Sequence, residues 1–128
     1  MEKRFFTVSE ARALLPALKE LISQVLQITE RLEGQRAVVE KFAKYSANDS
    51  GGPEGTAYLE TLAGMRNCLD QIQETGCMVK SLEEGLIDFP HLKDGREVYL
   101  CWKYGEEDIF FWHEVNEGFP GRVPLIED

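Results

Sequence analysis

The sequence predicts an α+β fold in which an antiparallel helical hairpin packs on a small antiparallel β-sheet of about three strands. In the first two thirds of the chain, apolar residues recur every three or four positions, which is typical of amphipathic helices. After Gly76 the period changes to two, as in half-buried strands, and turn-forming residues separate the runs. We therefore expect a helical part at about 7–76 and a strand-rich part at about 77–128.

Length and composition favour a single domain over residues 1–128. A chain of this size can bury roughly two thirds of its unfolded surface, so it needs neither a disulfide nor a metal to stay folded. The N-terminal segment MEKRFFTVSEAR carries charges throughout, which does not fit a signal peptide. No apolar run approaches the ~20 residues of a membrane span, so we expect a cytoplasmic protein.

The chain is acidic, and the acidity is concentrated toward its C-terminus. It has 14 Lys and Arg against 23 Asp and Glu, for a net charge of −9. Such a charge repels phosphate backbones and anionic bilayers, so we expect neither nucleic acid nor membrane as a partner. The three cysteines form no CxxC pair, and their odd number favours reduced thiols.

The first helix begins at a capping box formed by Thr7 and Glu10. Its apolar pattern continues to about Tyr45. Pro16 interrupts this pattern, so we expect either a kink or a short first helix that restarts there.

The second helix runs from about Thr56 to Thr75 and ends at Gly76. Residues 46–55, SANDSGGPEG, read as a flexible turn, and so short a connection predicts antiparallel helices. The first helical region is longer than the second and more apolar than one partner requires. Either the chain bends, or a second protomer covers the excess. We favour a homodimer through the first helix, with Leu21 or Ile28 near its interface.

Three runs are predicted as strands: Cys77–Leu82, Arg96–Tyr104 and Ile109–Val115. If Tyr104 pairs with Ile109, His113 shares the core face of the sheet, and Glu114 lies on the other face. A slip of one residue would exchange these two faces.

Four segments carry a family resemblance: FTVSEARALLP near the start, then GLIDFP, DGREVYLCWKYGE and WHEVNEGFPGRVPL. They resemble the bacterial family known as domain of unknown function number 2203. The resemblance covers both ends of the chain, while residues 34–75 read as generic helix. It implies small bacterial proteins with helices followed by a strand-rich tail, and it supplies no catalytic residues.

His113 and Glu114 form the first candidate site, because a histidine beside a carboxylate can act as a general base or a ligand. A buried histidine held by a hydrogen bond is the alternative. Metal ligands could come from His91, His113, Asp88, Glu114 and Cys101, but no pair has diagnostic spacing. We therefore expect no metal and no cofactor.

The second candidate is the segment GFPGR, residues 118–122. Its glycines let backbone amides turn toward a ligand, and Arg122 offers a fork for an anion, with Arg96 as a second cation. We favour the alternative, in which Arg122 pairs internally with Glu114, Asp88 or another acidic residue and fixes the tail to the sheet.

Together these observations favour a non-enzymatic cytosolic interaction or regulatory module that acts as a homodimer. The alternative is a protein or enzyme that binds a small anionic ligand. Its site would be formed by the candidate residues Asp88, Arg96, His113, Glu114 and Arg122.

Overall fold

The computed structural model describes residues 3–45 and 52–126. Within these ranges two helices precede an antiparallel five-stranded sheet with the strand order β1-β2-β3-β4-β5. The predicted α+β class is confirmed, and the sheet has five strands rather than about three. The elements are α1 (Val8–Tyr45), α2 (Gly52–Glu74), β1 (Met78–Ser81), β2 (Leu86–Lys93), β3 (Arg96–Lys103), β4 (Phe111–Glu114), a 3-10 turn (Phe119–Gly121) and β5 (Val123–Pro124).

Residue contacts divide the chain into two compact units. One unit comprises Met1–Glu20 and Ile72–Asp128, so it contains the start of α1 and the whole sheet. The other unit, Leu21–Gln71, contains the rest of the helical hairpin. In the part of the chain that the structure describes, no helix combines the length and the apolarity that crossing a bilayer requires.

In the helical unit α1 and α2 run antiparallel, as predicted. The Cys68 thiol lies 3.4 Å from the side-chain oxygen of Gln24, while Gln35 and Ala57 line one groove nearer the other end. The turn predicted at 46–55 is too long, because residues 52–55 already belong to α2. Residues 46–51 lie outside the described ranges.

The start of α1 follows the sequence prediction, except at Pro16. The Thr7 amide donates to Glu10 Oε1 at 2.8 Å, and the Glu10 amide donates to Thr7 Oγ1 at 3.0 Å, which confirms the capping box. The helix continues through Pro16, so the expectation of a short first helix was wrong. Pro16 lies on the exposed side of α1. The lost hydrogen bond costs least there, because water can replace it.

The sheet-containing unit has an apolar core between α1 and the helix-side face of the sheet. This face is formed by Ile87, Phe89, Val98, Leu100 and Trp102, each 0% exposed. From the N-terminal segment, Phe6 packs edge-on against Phe89, with their ring centroids 5.4 Å apart. Arg12 Nη2 donates to the carbonyl oxygen of Ile109 at 2.8 Å, which attaches α1 to the chain that follows β3.

Strand β2 was missed by the sequence prediction, because it contains Pro90. Pairing with β1 ends at Asp88, so the strand is an edge where the proline occurs. A proline is tolerated at an edge, because no neighbouring strand needs its missing N–H. The Pro90 carbonyl instead accepts a hydrogen bond from the Phe6 amide at 2.7 Å.

The register between β3 and β4 differs by one residue from the predicted pairing of Tyr104 with Ile109. Tyr99 faces His113, and Cys101 faces Phe111. Ile109 is buried before β4 begins, and its amide bonds to Asp108 Oδ1 at 2.8 Å. The connection between the strands is therefore longer than the predicted four residues. As a result His113 lies on the face of the sheet opposite to the one predicted.

Candidate functional site

Four residues on three adjacent strands meet on the face of the sheet opposite to α1, which we call the cavity-side face. Asp88 is on β2, Tyr99 and Cys101 are on β3, and His113 is on β4. Asp88 is paired directly with Cys101, and Tyr99 is paired directly with His113. Because side chains alternate along a strand, this register points all four toward the same side.

Asp88 and His113 form a buried polar pair. His113 Nε2 lies 3.0 Å and 3.1 Å from the two carboxylate oxygens of Asp88. The side chains of His113 and Asp88 are 3% and 4% exposed. On the other side of the ring, Nδ1 lies 2.8 Å from the Glu114 carbonyl oxygen. A carbonyl oxygen only accepts, so Nδ1 carries a hydrogen, and Nε2 faces the Asp88 carboxylate.

Cys101 lies beside this pair and is also buried. One ligand atom from each of Asp88, Cys101 and His113 can be chosen so that all three lie within 4.8 Å of one another. Burial, followed by the negative charge of Asp88, raises the pKa of the Cys101 thiol to about 12. The side chain is therefore a neutral thiol at neutral pH, which disfavours a role as a nucleophile, since the thiolate is the reactive form.

The four residues form the floor of a cavity of about 370 Å³. This volume is within the usual range of small-molecule sites. Exposed charged residues, Lys80, Glu84 and Glu117, surround the opening. The Lys80 ammonium lies 4.9 Å from the centroid of the Tyr99 ring. The remaining lining residues are largely apolar and come mainly from the C-terminal segment: Leu86, Val115, Gly118, Phe119 and Pro120.

Of the five residues predicted as a site, the structure brings Asp88 and His113 together and leaves the other three elsewhere. Arg96 Nη2 pairs with Glu114 Oε1 at 2.6 Å, and both side chains are substantially exposed. Neither residue lines the cavity that Asp88 and His113 share.

Arg122 is held by an internal ion pair, the structural alternative considered for this residue. Its Nη2 donates to the two carboxylate oxygens of Glu106 at 2.7 Å and 2.8 Å. The guanidinium carbon lies 4.0 Å from the centroid of the Phe111 ring and 4.5 Å from that of Phe119. This pair fixes the segment that contributes Phe119 to the cavity.

Sequence reasoning included Cys101 with His113 only among possible metal ligands, and it missed Tyr99. The usable signal was the spacing of two residues between Tyr99 and Cys101 in β3, which places both on one face. It became informative only with the correct register, because a shift of one residue moves His113 to the opposite side.

The molecule is thus a small α+β protein with a buried Asp–Cys–His cluster beneath a cavity. The family model described as "Uncharacterized conserved protein (DUF2203)" matches residues 4–125, and the chain belongs to this family. No curated protein and no solved structure matches the chain.

Proposed function

We propose that this protein binds a small molecule in the cavity on the cavity-side face of the sheet. The observation that carries the proposal is the buried Asp88–His113 pair at the floor of that cavity. A cavity with apolar walls and a few convergent polar groups is the common form of a small-molecule site.

The stability of the fold alone does not explain why the Asp88–His113 pair is buried. Removing two charged groups from water costs several kcal/mol for each ion, and apolar residues of similar volume often serve stability equally well. The centre of the helix-side face of the same sheet is buried with apolar side chains, whereas its polar residues, His91, Arg96 and Glu114, lie toward one end and are not fully buried. Polar groups on the cavity-side face are therefore better explained by a ligand that they orient.

The lining favours a ligand with an apolar body and an N–H or O–H donor, either uncharged or cationic. Leu86, Val115 and Phe119 offer apolar contacts, and the Asp88 carboxylate offers acceptor oxygens at the floor. Glu84 and Glu117 outnumber Lys80 around the opening, so the charge there is negative on balance. An anionic ligand, considered from the sequence, is disfavoured because Arg96 and Arg122 already pair with carboxylates.

The geometry favours binding over acid–base catalysis. Both nitrogens of His113 are engaged, one by Asp88 and the other by the Glu114 carbonyl. A general base needs a free position within hydrogen-bond reach of the substrate. The neutral Cys101 thiol is equally unsuited to nucleophilic attack. These features support a non-enzymatic binding role.

Three probes of the same shape and different charge test this proposal: benzylamine, benzyl alcohol and benzoate. We expect benzylamine and benzyl alcohol to shift the backbone amide NMR signals of Cys101 and His113, and benzoate to bind most weakly. The Val115→Trp substitution should fill the cavity and abolish these shifts. The matched control is Val123→Trp, because Val123 is similarly exposed, at 40% against 45%, but does not line the cavity.

Two results would contradict the proposal. If none of the probes shifts the signals of the cavity-side face, the cavity is not a small-molecule site of this kind. If benzoate binds best, the assignment of ligand charge is wrong.

We also propose that the protein forms a homodimer through α1. In the helical unit, Val38 on α1 is 42% exposed, and Leu59 and Leu62 on the neighbouring helix α2 are 65% and 39% exposed. A second copy that packs on the helical unit would remove apolar surface of this kind from water, which favours association. A second copy of the chain is the proposed partner.

A further inference from the structure

We propose that Asp88, Cys101 and His113 form a site for a divalent metal ion of the zinc class, with one coordination position open to the cavity. This site lies in the cavity of the proposed function. The metal site depends on the proposed function only in that the cavity must be accessible for the open position to be reached. The ligands would be a carboxylate oxygen of Asp88, the sulfur of Cys101 and Nε2 of His113.

The donor atoms fit this class of ion in both type and spacing. Thiolate, imidazole and carboxylate together are typical zinc ligands, whereas calcium and magnesium prefer oxygen alone. Ligand atoms around a tetrahedral zinc ion lie on the order of 3.3–3.8 Å apart. In the structure His113 Nε2 lies 3.0 Å from Asp88 Oδ1, and all three donors lie within 4.8 Å of one another. Small rotations of the side chains would complete the geometry.

The surroundings of His113 are those of a metal-binding histidine. Its Nδ1–H donates to the Glu114 carbonyl at 2.8 Å, which directs Nε2 toward Asp88 and Cys101. Metal-ligating histidines commonly use a backbone carbonyl in this way, because it fixes the tautomer and the orientation of the ring. The three ligands are also fixed by three adjacent strands, which limits their relative movement.

Charge complementarity also supports the site. A thiolate, a carboxylate and a neutral imidazole together balance the charge of a dication, which avoids the cost of an uncompensated buried charge.

Three protein ligands leave a fourth position on zinc. This is the arrangement of sites in which zinc binds an exchangeable water or substrate, as opposed to closed structural sites. All three residues line the cavity, so the fourth position would open into it.

Cobalt(II) provides the test, because a tetrahedral Co²⁺ ion bound to a thiolate gives visible bands and a near-ultraviolet charge-transfer band. The protein would be dialysed against a chelator and titrated with Co²⁺ and then with Zn²⁺. We expect one Co²⁺ per chain with the charge-transfer band, and displacement of Co²⁺ by Zn²⁺.

Matched variants assign the ligands. Cys101→Ser should abolish the charge-transfer band, while Cys77→Ser should keep it, since Cys77 is equally buried but lies outside the cluster. His113→Gln should weaken metal binding by about 10–100-fold or more, because even loss of a residue that only hydrogen-bonds to a metal ligand can cost that much. His91→Gln is its control, since His91 does not belong to the cluster.

If a ligand variant fails to fold, X-ray absorption of the zinc-loaded wild-type protein decides the question. One sulfur with nitrogen and oxygen neighbours would support the site. A shell without sulfur, or no stoichiometric binding of Co²⁺ or Zn²⁺, would overturn it.

The cavity-filling Val115→Trp variant separates the two proposals. If this variant keeps the Co²⁺ spectrum and no longer binds the organic probes, both proposals are supported. In the wild-type protein, metal binding without any probe binding contradicts only the proposed function, and probe binding without metal binding overturns only the metal site.

Discussion

At the centre of the sheet the two faces are buried to a similar degree but carry different side chains. On the helix-side face Leu100 and Trp102 are 0% exposed, and their neighbours are also apolar. On the cavity-side face Asp88 and His113 are 3% and 2% exposed, yet both are titratable. Because successive side chains of a strand point to opposite sides, the same strands form both faces.

The difference between the faces indicates which side serves the fold. Burial of apolar area stabilises a fold without any requirement for direction or pairing. A buried carboxylate and imidazole must find partners, and every unpaired atom costs free energy. The helix-side face therefore accounts for stability, and the cavity-side face accounts for a site. Each substitution below tests this assignment.

The largest effect is expected on the helix-side face. Trp102→Ala should lower the free energy of unfolding by about 4 kcal/mol, because it leaves a large void in the apolar core. The control Phe110→Ala should cost under about 1 kcal/mol, since Phe110 is 46% exposed. Urea unfolding measures both, and equal losses would mean that the helix-side face does not dominate stability.

On the cavity-side face, a single substitution and a double substitution should behave differently. His113→Leu should cost about 3 kcal/mol, because Asp88 is left buried without its partner. The double variant Asp88→Leu with His113→Leu should recover most of this loss, to within about 1 kcal/mol of wild type. If the double variant is as unstable as the single one, the pair supports the fold rather than a site. The same urea unfolding curves decide this.

A smaller effect is expected at the C-terminal segment. Arg122→Met should cost about 2 kcal/mol, because the Arg122 and Glu106 side chains are only 11% and 23% exposed. This corresponds to a fall of roughly 6 °C in Tm. Arg96→Met should cost under about 1 kcal/mol, since the Arg96–Glu114 pair is 57% and 37% exposed. If calorimetry shows a larger loss of stability for Arg96→Met than for Arg122→Met, this order is wrong.

Separation of the predicted homodimer should leave both faces unchanged. Leu21→Glu would place a charge near the predicted interface on α1. Light scattering should give twice the chain mass of 14.6 kDa for the wild type, and about one chain mass for the variant. The Co²⁺ spectrum should be the same in both. A wild-type mass near 14.6 kDa at micromolar concentration would rule the dimer out.

The sequence by itself determined the local elements of this protein. Helix periodicity and the Thr7–Glu10 capping box depend on residues close together in the chain, and so does the turn at Asp94-Gly95, a dipeptide typical of tight hairpin turns. Asp94 and Gly95 indeed have φ values of 52° and 80°, as a two-residue hairpin turn requires. The predicted internal pairing of Arg122 with an acidic residue was also confirmed, although its partner is Glu106.

Only the tertiary structure decided which face His113 occupies and which residues surround it. Register depends on how strands from distant segments align, and a shift of one residue exchanges the two faces. Strand β2 could not be predicted locally, because proline is disfavoured within strands. It is tolerated at Pro90 because this part of β2 extends past the end of β1 and forms an edge of the sheet. The meeting of Asp88, Cys101 and His113 depends on three strands in register, and no local spacing in the sequence encodes it.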